Sequence, residues 1–286
     1  MRRALLALVL SPVAVLGAAA AERAPVDVSA MLTRLGDHVS AYYGRAQSII
    51  CDETVRLQSL SHDLMSDASP ARRLLFELRV AWEPADDGGV PEAQVLRTLL
   101  SVNNRRPREK DREACMDPRA VSAEPLAVFL PANQGDYVFT PAGRGKVNGR
   151  QAAILEYRSR ERGPITATRN EDCFSIELPG RTRGRVWVDE ETFDVLRLDE
   201  RLTGIFDVVV PADPKKRDVP SWMVVERLDT SIVYRRVTFS DPDETVMLPA
   251  SQETVTVVRN SGTPRLRTSQ TFRNYRRFIT GGRIVQ

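Results

Sequence analysis

Histidine is the side chain best suited to acid-base and metal chemistry near neutral pH, and this 286-residue chain has little of it. There are two histidines, His38 and His62. An imidazole that serves as a base or a metal ligand needs partners at short spacing, and neither histidine has a Cys, Glu or second His at ligand distance along the chain. His38 falls at the border of an apolar helical stripe, and His62 falls in a polar stretch. The acidic run Asp189, Glu190, Glu191 has the charge to hold a cation or assist hydrolysis, but a tight turn has the same composition, and the turn reading is preferred. SDPDET at 240–245 lacks the glycine and the distal glutamate of a calcium loop. GRGK at 143–146 and Gly281-Gly282 lack the order of strand, spaced glycines, Lys-Ser/Thr and helix that cradles phosphate. No Gly-x-Ser-x-Gly elbow is present. The expectation is a non-catalytic protein with no cofactor and no metal.

Three cysteines, Cys51, Cys115 and Cys173, allow three pairings. Cys51 shares its parity with Ile49, Val55 and Leu57, the pattern of a buried thiol in a sheet. Cys115 and Cys173 both sit in polar, turn-like sequence and form the preferred disulfide pair. The wide separations do not suit a structural zinc site.

Compartment and charge narrow the function classes further. Residues 1–21, MRRALLALVLSPVAVLGAAAA, join two arginines, a short apolar stretch and small residues, the layout of a secretory signal peptide. A membrane anchor needs about 20 continuous apolar residues, and Pro12 splits this stretch. Cleavage after Ala21 leaves residues 22–286, expected to form one domain that is periplasmic or otherwise exported, soluble, and without a transmembrane segment. The whole chain holds 41 basic and 38 acidic residues, and two of the basic ones, Arg2 and Arg3, are lost with the leader. The remainder is nearly neutral. Only Lys110, Lys146, Lys215 and Lys216 are lysines, yet the arginines are dispersed among acidic residues, as in NNRRPREKDRE. No basic stripe interleaved with aromatics appears, so nucleic acid is not an expected partner.

The elements that would position any site are mostly strands. Val28, Leu32, Leu35, Val39, Tyr42 and Ala46 recur every three or four residues, which predicts one amphipathic helix over 27–48. In ARRLLFELRVAWEP, Leu74, Phe76, Leu78, Val80 and Trp82 share one parity, as in a strand with one dry face. Further strands are predicted at 95–102, 136–140, 150–160, 222–239, 253–259 and 265–278. Asn148-Gly149 marks a tight hairpin. In GRVWVDEETFDVLRL, Val186 and Val188 are answered by Leu196 and Leu198 across an acidic turn. SAEPLAVFLP at 122–131, carrying Leu126 and Phe129, predicts a short helix. Segments 59–72, 84–94, 103–121 and 211–221 read as loops.

This order of elements, with the Gly-x-Val-x-Val-Asp hairpin at 184–189, the Leu-Pro pair in MLPASQETV and the closing RNYRRF, resembles the periplasmic Lol-type lipoprotein-carrier (LolA-like) superfamily and related periplasmic sensor domains. The resemblance implies an α+β, mainly β fold: a strongly curved antiparallel sheet forming an incomplete barrel. The N-terminal helix and the short lid helix would lie on its concave side. It also implies a hydrophobic ligand such as a lipid or a lipoprotein acyl chain, as in outer membrane lipoprotein sorting, or an envelope protein as partner. Candidate lining residues are Leu74, Phe76, Leu78, Val80, Trp82, Leu126, Phe129, Val186, Val188, Leu196 and Leu198. Alternation alone leaves open whether these face a guest or the chain's own helices.

Overall fold

The protein is described here from a computed structural model. It covers residues 27–45, 49–83, 92–112, 124–170, 173–212, 220–241, 243–262 and 264–277. The proposed signal peptide, residues 1–21, lies outside the described residues.

The first element is the predicted amphipathic helix, α1 (Val28–Arg45). Asp27 caps it, its side chain accepting the amide of Ala30 at 3.1 Å. Leu35, Val39, Tyr42 and Tyr43 turn one face of α1 inward. Among the described residues no helix is long and apolar enough to cross a membrane.

Strands follow in the order β1 (Ile49–Ser59), β2 (Arg72–Glu83), β3 (Glu92–Val102), β4 (Tyr137–Val147) and β5 (Arg150–Ser159). Then come β6 (Thr166–Asn170), β7 (Cys173–Glu177), β8 (Thr182–Asp189), β9 (Val195–Leu202), β10 (Phe206–Val209), β11 (Trp222–Ser240), β12 (Asp243–Arg259) and β13 (Arg265–Arg277). All but β6 and β7 belong to one antiparallel sheet ordered β3-β2-β1-β13-β12-β11-β9-β8-β5-β4, with β10 paired to β11. The described sheet ends at β3 and β4 and does not close. Bulges interrupt the register in several pairs, at Ile50/Asp52, Leu75/Phe76, Pro141/Arg144, Trp187/Val188, Val225/Arg227 and Val233/Tyr234. Each bulge bends and twists its strand, which curves the sheet. The mainly β, open, curved antiparallel architecture is the expected one.

Local chemistry accounts for the turns. Asn148 and Gly149 both have positive φ, 49° and 83°, which lets β4 run directly into β5. In the acidic turn after β8, Asp189 Oδ1 accepts the amides of Glu191 at 3.0 Å and Thr192 at 2.8 Å. Asp189 therefore builds the turn. Four expectations shift in detail: the short helix at 122–131 is a 3₁₀ turn over Glu124–Phe129, β4 runs on past 140 to Val147, β12 runs much longer than 253–259, and a helical turn, Glu109–Arg112, lies in the segment 103–121 read as a loop. The strand β10 and the small β6–β7 hairpin, in sequence left unassigned, are additions.

The main core lies between α1, the 3₁₀ turn and the sheet face of β5, β8, β9, β11 and β12. Two smaller clusters sit on the β1–β2–β3–β13 side. Val55, Leu74, Phe76, Leu99 and Val102 make one, and Cys51, Leu78 and Phe272 make the other.

Candidate functional site

Cross-strand register turns dispersed apolar residues into a continuous surface. Leu155 of β5 pairs with Val186 of β8, Val186 with Leu198 of β9, and Leu198 with Ile232 of β11. The four residues therefore form one row across four strands, and each is buried. The neighbouring row on the same face runs Phe139, Tyr157, Gly184, Glu200, Thr230. Glycine is required in it. The ring of Tyr157 lies across Gly184, filling the place of a Cβ, and its hydroxyl donates to Glu200 Oε1 at 2.9 Å.

A helical layer covers these rows. Leu35, Val39 and Tyr42 come from α1, and Leu126 and Phe129 from the 3₁₀ turn. Phe129 meets Tyr157 edge-on, with ring centroids 5.4 Å apart at 81°. The two parts of the cover are joined where Gln134 Nε2 donates to the carbonyl of Leu32 at 2.9 Å and to that of Phe129 at 2.8 Å. Gly36 permits this approach, because a Cβ there would stand 2.7 Å from Gln134 Nε2. Two side-chain contacts fix α1 to the β8–β9 hairpin: His38 Nε2 lies 2.8 Å from Asp194 Oδ1, and the Arg34 guanidinium lies 5.1 Å from the centre of the Phe193 ring. Asp194 is the hub of a network, with Arg150 Nη2 at 3.1 Å, Arg236 Nη2 at 3.0 Å and the hydroxyl of Thr192 at 2.8 Å all donating to its Oδ2.

Electrostatics divides the polar groups into two kinds. Burial pushes the Asp194 carboxyl up, but hydrogen bonds from His38, Thr192, Arg236 and Arg150 outweigh this and hold it below the usual carboxylate range. Burial raises Glu200, and the Tyr157 hydrogen bond only partly opposes it. Burial likewise raises Tyr157 and Tyr234. The chamber between sheet and cover, filled by the chain's own side chains, thus combines an apolar floor, a raised glutamate and phenols that hold their protons. Beside His38 a void of about 20 Å³ is lined by Val39, Tyr42, Arg45, Leu126, Val195, Tyr234 and Met247. None of these is a Ser, Thr or Cys, and the hydroxyls that do line the void, those of Tyr42 and Tyr234, are phenols whose pKa burial raises. Among the described residues no group of three His, Cys, Asp or Glu side chains could hold a metal.

Six of the candidate lining residues meet in this chamber: Leu126, Phe129, Val186, Val188, Leu196 and Leu198. Val80 packs against its margin. Leu74, Phe76 and Leu78 lie elsewhere, in the two smaller clusters. On β1, Glu53 stands between Val55 and Cys51 on the buried face and separates those clusters. It accepts from Arg97 Nη2 and Gln270 Nε2, both at 2.8 Å. The side chain of Trp82 lies outside the described residues, as does Cys115 and the side chain of Cys173, and with them the candidate disulfide. Cys51 is a free, buried thiol. Glu200, Tyr157, Tyr234 and Asp194 were not singled out from the sequence. The sole signal for Asp194 is its position closing the acidic turn.

No family model matches the sequence, and no curated protein matches it. Solved structures resemble the chain over most of its length. One is described as an outer membrane lipoprotein-sorting protein domain from Vibrio parahaemolyticus: it is 12% identical, with 88% of this chain and 94% of that one covered and a TM-score of 0.44. A DUF1329 family protein from Desulfovibrio piger is 12% identical, with coverage of 89% and 95% and a TM-score of 0.44. A LolA superfamily protein from Nitrosomonas europaea is 11% identical, with coverage of 90% and 96% and a TM-score of 0.33.

Proposed function

We propose that this chain is an exported, non-catalytic binding protein for a hydrophobic ligand, a lipid or the acyl chain of a lipoprotein, held between the helical cover and the β5–β8–β9–β11 face. The observation that supports this is the construction of the cover. The sheet carries an unbroken apolar row, Leu155, Val186, Leu198 and Ile232, and what shields it is a separate layer of helix and 3₁₀ turn. The void of about 20 Å³ has room for about one water, so a guest replaces Leu35, Val39, Leu126 and Phe129 against the sheet. An acyl chain of about 14 methylenes contributes roughly 11 kcal/mol of gross transfer free energy at about 0.8 per CH₂. Displacing the cover and immobilising the ligand take back a large part of it.

Native intact-mass measurement of the protein purified from a periplasm, with titration of a fluorescent fatty acid, tests the reading. Saturable one-to-one uptake is expected. A ligand-free mass together with no saturable uptake overturns it.

A second reading is favoured by the tight fill of the same chamber: an envelope sensor or protein-interaction module whose core is its own helices. Cross-linking in the envelope distinguishes the two, since a stoichiometric protein partner on ligand-free protein belongs to this reading alone.

A further inference from the structure

The opposite face of the same strands carries a different chemistry. Along β8, Gly184 and Val186 turn into the core while Arg183 and Arg185 are exposed. On this outward face Arg158 of β5 pairs with Arg183 of β8, and Arg183 pairs with Arg201 of β9. Three guanidinium groups thus stand in one row across three adjacent strands, with Val138 of β4 at its end, opposite Arg158. Directly opposed like charges destabilise a sheet, and such rows normally alternate in sign.

The next row does alternate. Glu156 pairs with Arg185, and Arg185 with Asp199. Its carboxylates are engaged there: Glu156 accepts from Arg185 Nε at 3.1 Å, and Asp199 takes both Nε and Nη2 of Arg197, at 2.8 and 2.9 Å. Neighbouring arginines are occupied as well, Arg181 by the carbonyls of Gly163 and Pro179, and Arg150 by Asp189. Among the described residues, Arg158, Arg183 and Arg201 have no ion pair or hydrogen bond from their side chains. Together with Thr140, Glu156, Arg185 and Asp199 they line an open groove of about 310 Å³, in which four arginines face two carboxylates.

We propose that this groove is an anion-binding site for a ligand bearing phosphate groups, bound by Arg158, Arg183 and Arg201. Guanidinium groups present paired N–H donors that match phosphate oxygens, and they give up hydration more readily than ammonium groups. The row spans two strand spacings, about 10 Å, which suits a pyrophosphate or two linked phosphates better than a single small anion. Glu156 and Asp199 are neutralised by Arg185 and Arg197, which leaves the row of three as the uncompensated charge of the groove. The site does not depend on the apolar chamber, which lies on the other side of the sheet. A soluble polyphosphate and a lipid headgroup offer the same chemistry.

Two titrations of the full-length mature protein at low salt distinguish these sources: inorganic pyrophosphate by calorimetry, and vesicles of phosphatidylglycerol against phosphatidylcholine by flotation. Saturable pyrophosphate binding without vesicle binding identifies a soluble ligand, and selective flotation with phosphatidylglycerol identifies a headgroup. Either result supports the site, provided that Arg183→Gln weakens binding at least tenfold and Arg79→Gln, which removes an exposed arginine far along the sheet on β2, changes it less than twofold. Arg201→Gln supplies a second readout on the neighbouring strand should Arg183→Gln fail to fold. Absence of saturable binding to both probes, or equal losses in Arg183→Gln and Arg79→Gln, overturns the proposal. Fatty-acid uptake measured on Arg183→Gln should match the parent, so failure of the groove and failure of the apolar chamber give separate signatures.

Discussion

Tyr157 and Gly184 face each other across β5 and β8, and the phenol ring fills the space that a side chain at 184 would need. Gly184→Ala forces that ring off its row and away from Glu200. Overpacking of this kind costs about 1–3 kcal/mol. Urea unfolding should show the midpoint falling with an unchanged slope. A Gly184→Ala protein as stable as the parent would contradict the ring's placement.

Glu200 gives a pH test. Its pKa in the folded protein is raised by burial, so it favours the protonated form. The stability it contributes is complete below the unfolded value, about 4.3, and is lost as pH rises through the folded value. Glu200→Gln keeps an acceptor for Tyr157 and removes the ionisation. The variant should match or exceed the parent in stability at pH 7.5, and the gap should close by about pH 4, as followed by thermal unfolding across that range. Greater stability of the parent at pH 7.5 would mean that the carboxylate is better solvated than its burial indicates.

Asp194 has the opposite sign. Its folded pKa is lowered, so its contribution is present above the unfolded value of about 3.9 and is lost as pH falls through that value toward the folded one. Asp194→Ala should cost about 1–3 kcal/mol at pH 7, the range for stranding a buried polar network. The loss should shrink on acidification. Because His38 is the partner on α1, amide exchange in Val28–Arg45 should also accelerate in the variant.

Truncating the cover separates packing from binding. Phe129→Ala should destabilise by about 3–5 kcal/mol, and Leu198→Ala in the floor by about 2–5. Under the proposed function, Phe129→Ala should also speed fatty-acid uptake, because part of the guest's place is already empty. Slower or unchanged uptake would favour the filled-core reading.

Cys51 should be silent to alkylation. It is buried, and its thiol is pushed up to about 12, chiefly by burial and then by Glu53 and Asp52. Peptide mapping after iodoacetamide at pH 8 should leave Cys51 unmodified in folded protein and modify it in urea. Labelling under native conditions would place β1 at the surface.

Much of the architecture was legible in the sequence, because period and turn chemistry are local. The stripe from Val28 to Tyr42 specified α1, the parity of Leu74 to Trp82 specified β2, and Asn148-Gly149 specified the β4–β5 hairpin. The site was only half legible. Val186, Val188, Leu196 and Leu198 declare themselves by alternation, and the same parity turns Glu200 inward and Asp199 outward, but only the cross-strand register brings Tyr157 over Gly184 and within reach of Glu200. The row Arg158, Arg183, Arg201 was hidden for the same reason, since it exists only once three strands are aligned. Pro249 lies inside β12, ahead of the predicted 253–259 strand. A proline suggests a break, yet it sits opposite Tyr234 beside the bulge at Val233/Tyr234, a place where a strand accommodates one.

The pairing of β1 with β13 has a kinetic meaning. Vectorial synthesis delivers Glu53 long before Gln270, its hydrogen-bond partner 217 positions downstream. Until the last strand arrives, the β1 edge of the β1–β2–β3 meander is bare and Glu53 lacks the Gln270 amide, so the early part of the chain has no finished place to dock. Loop closure over such a distance slows folding. A sheet whose first strand finds its neighbour only at the end keeps the early part of the chain unfinished until nearly all of it has been made.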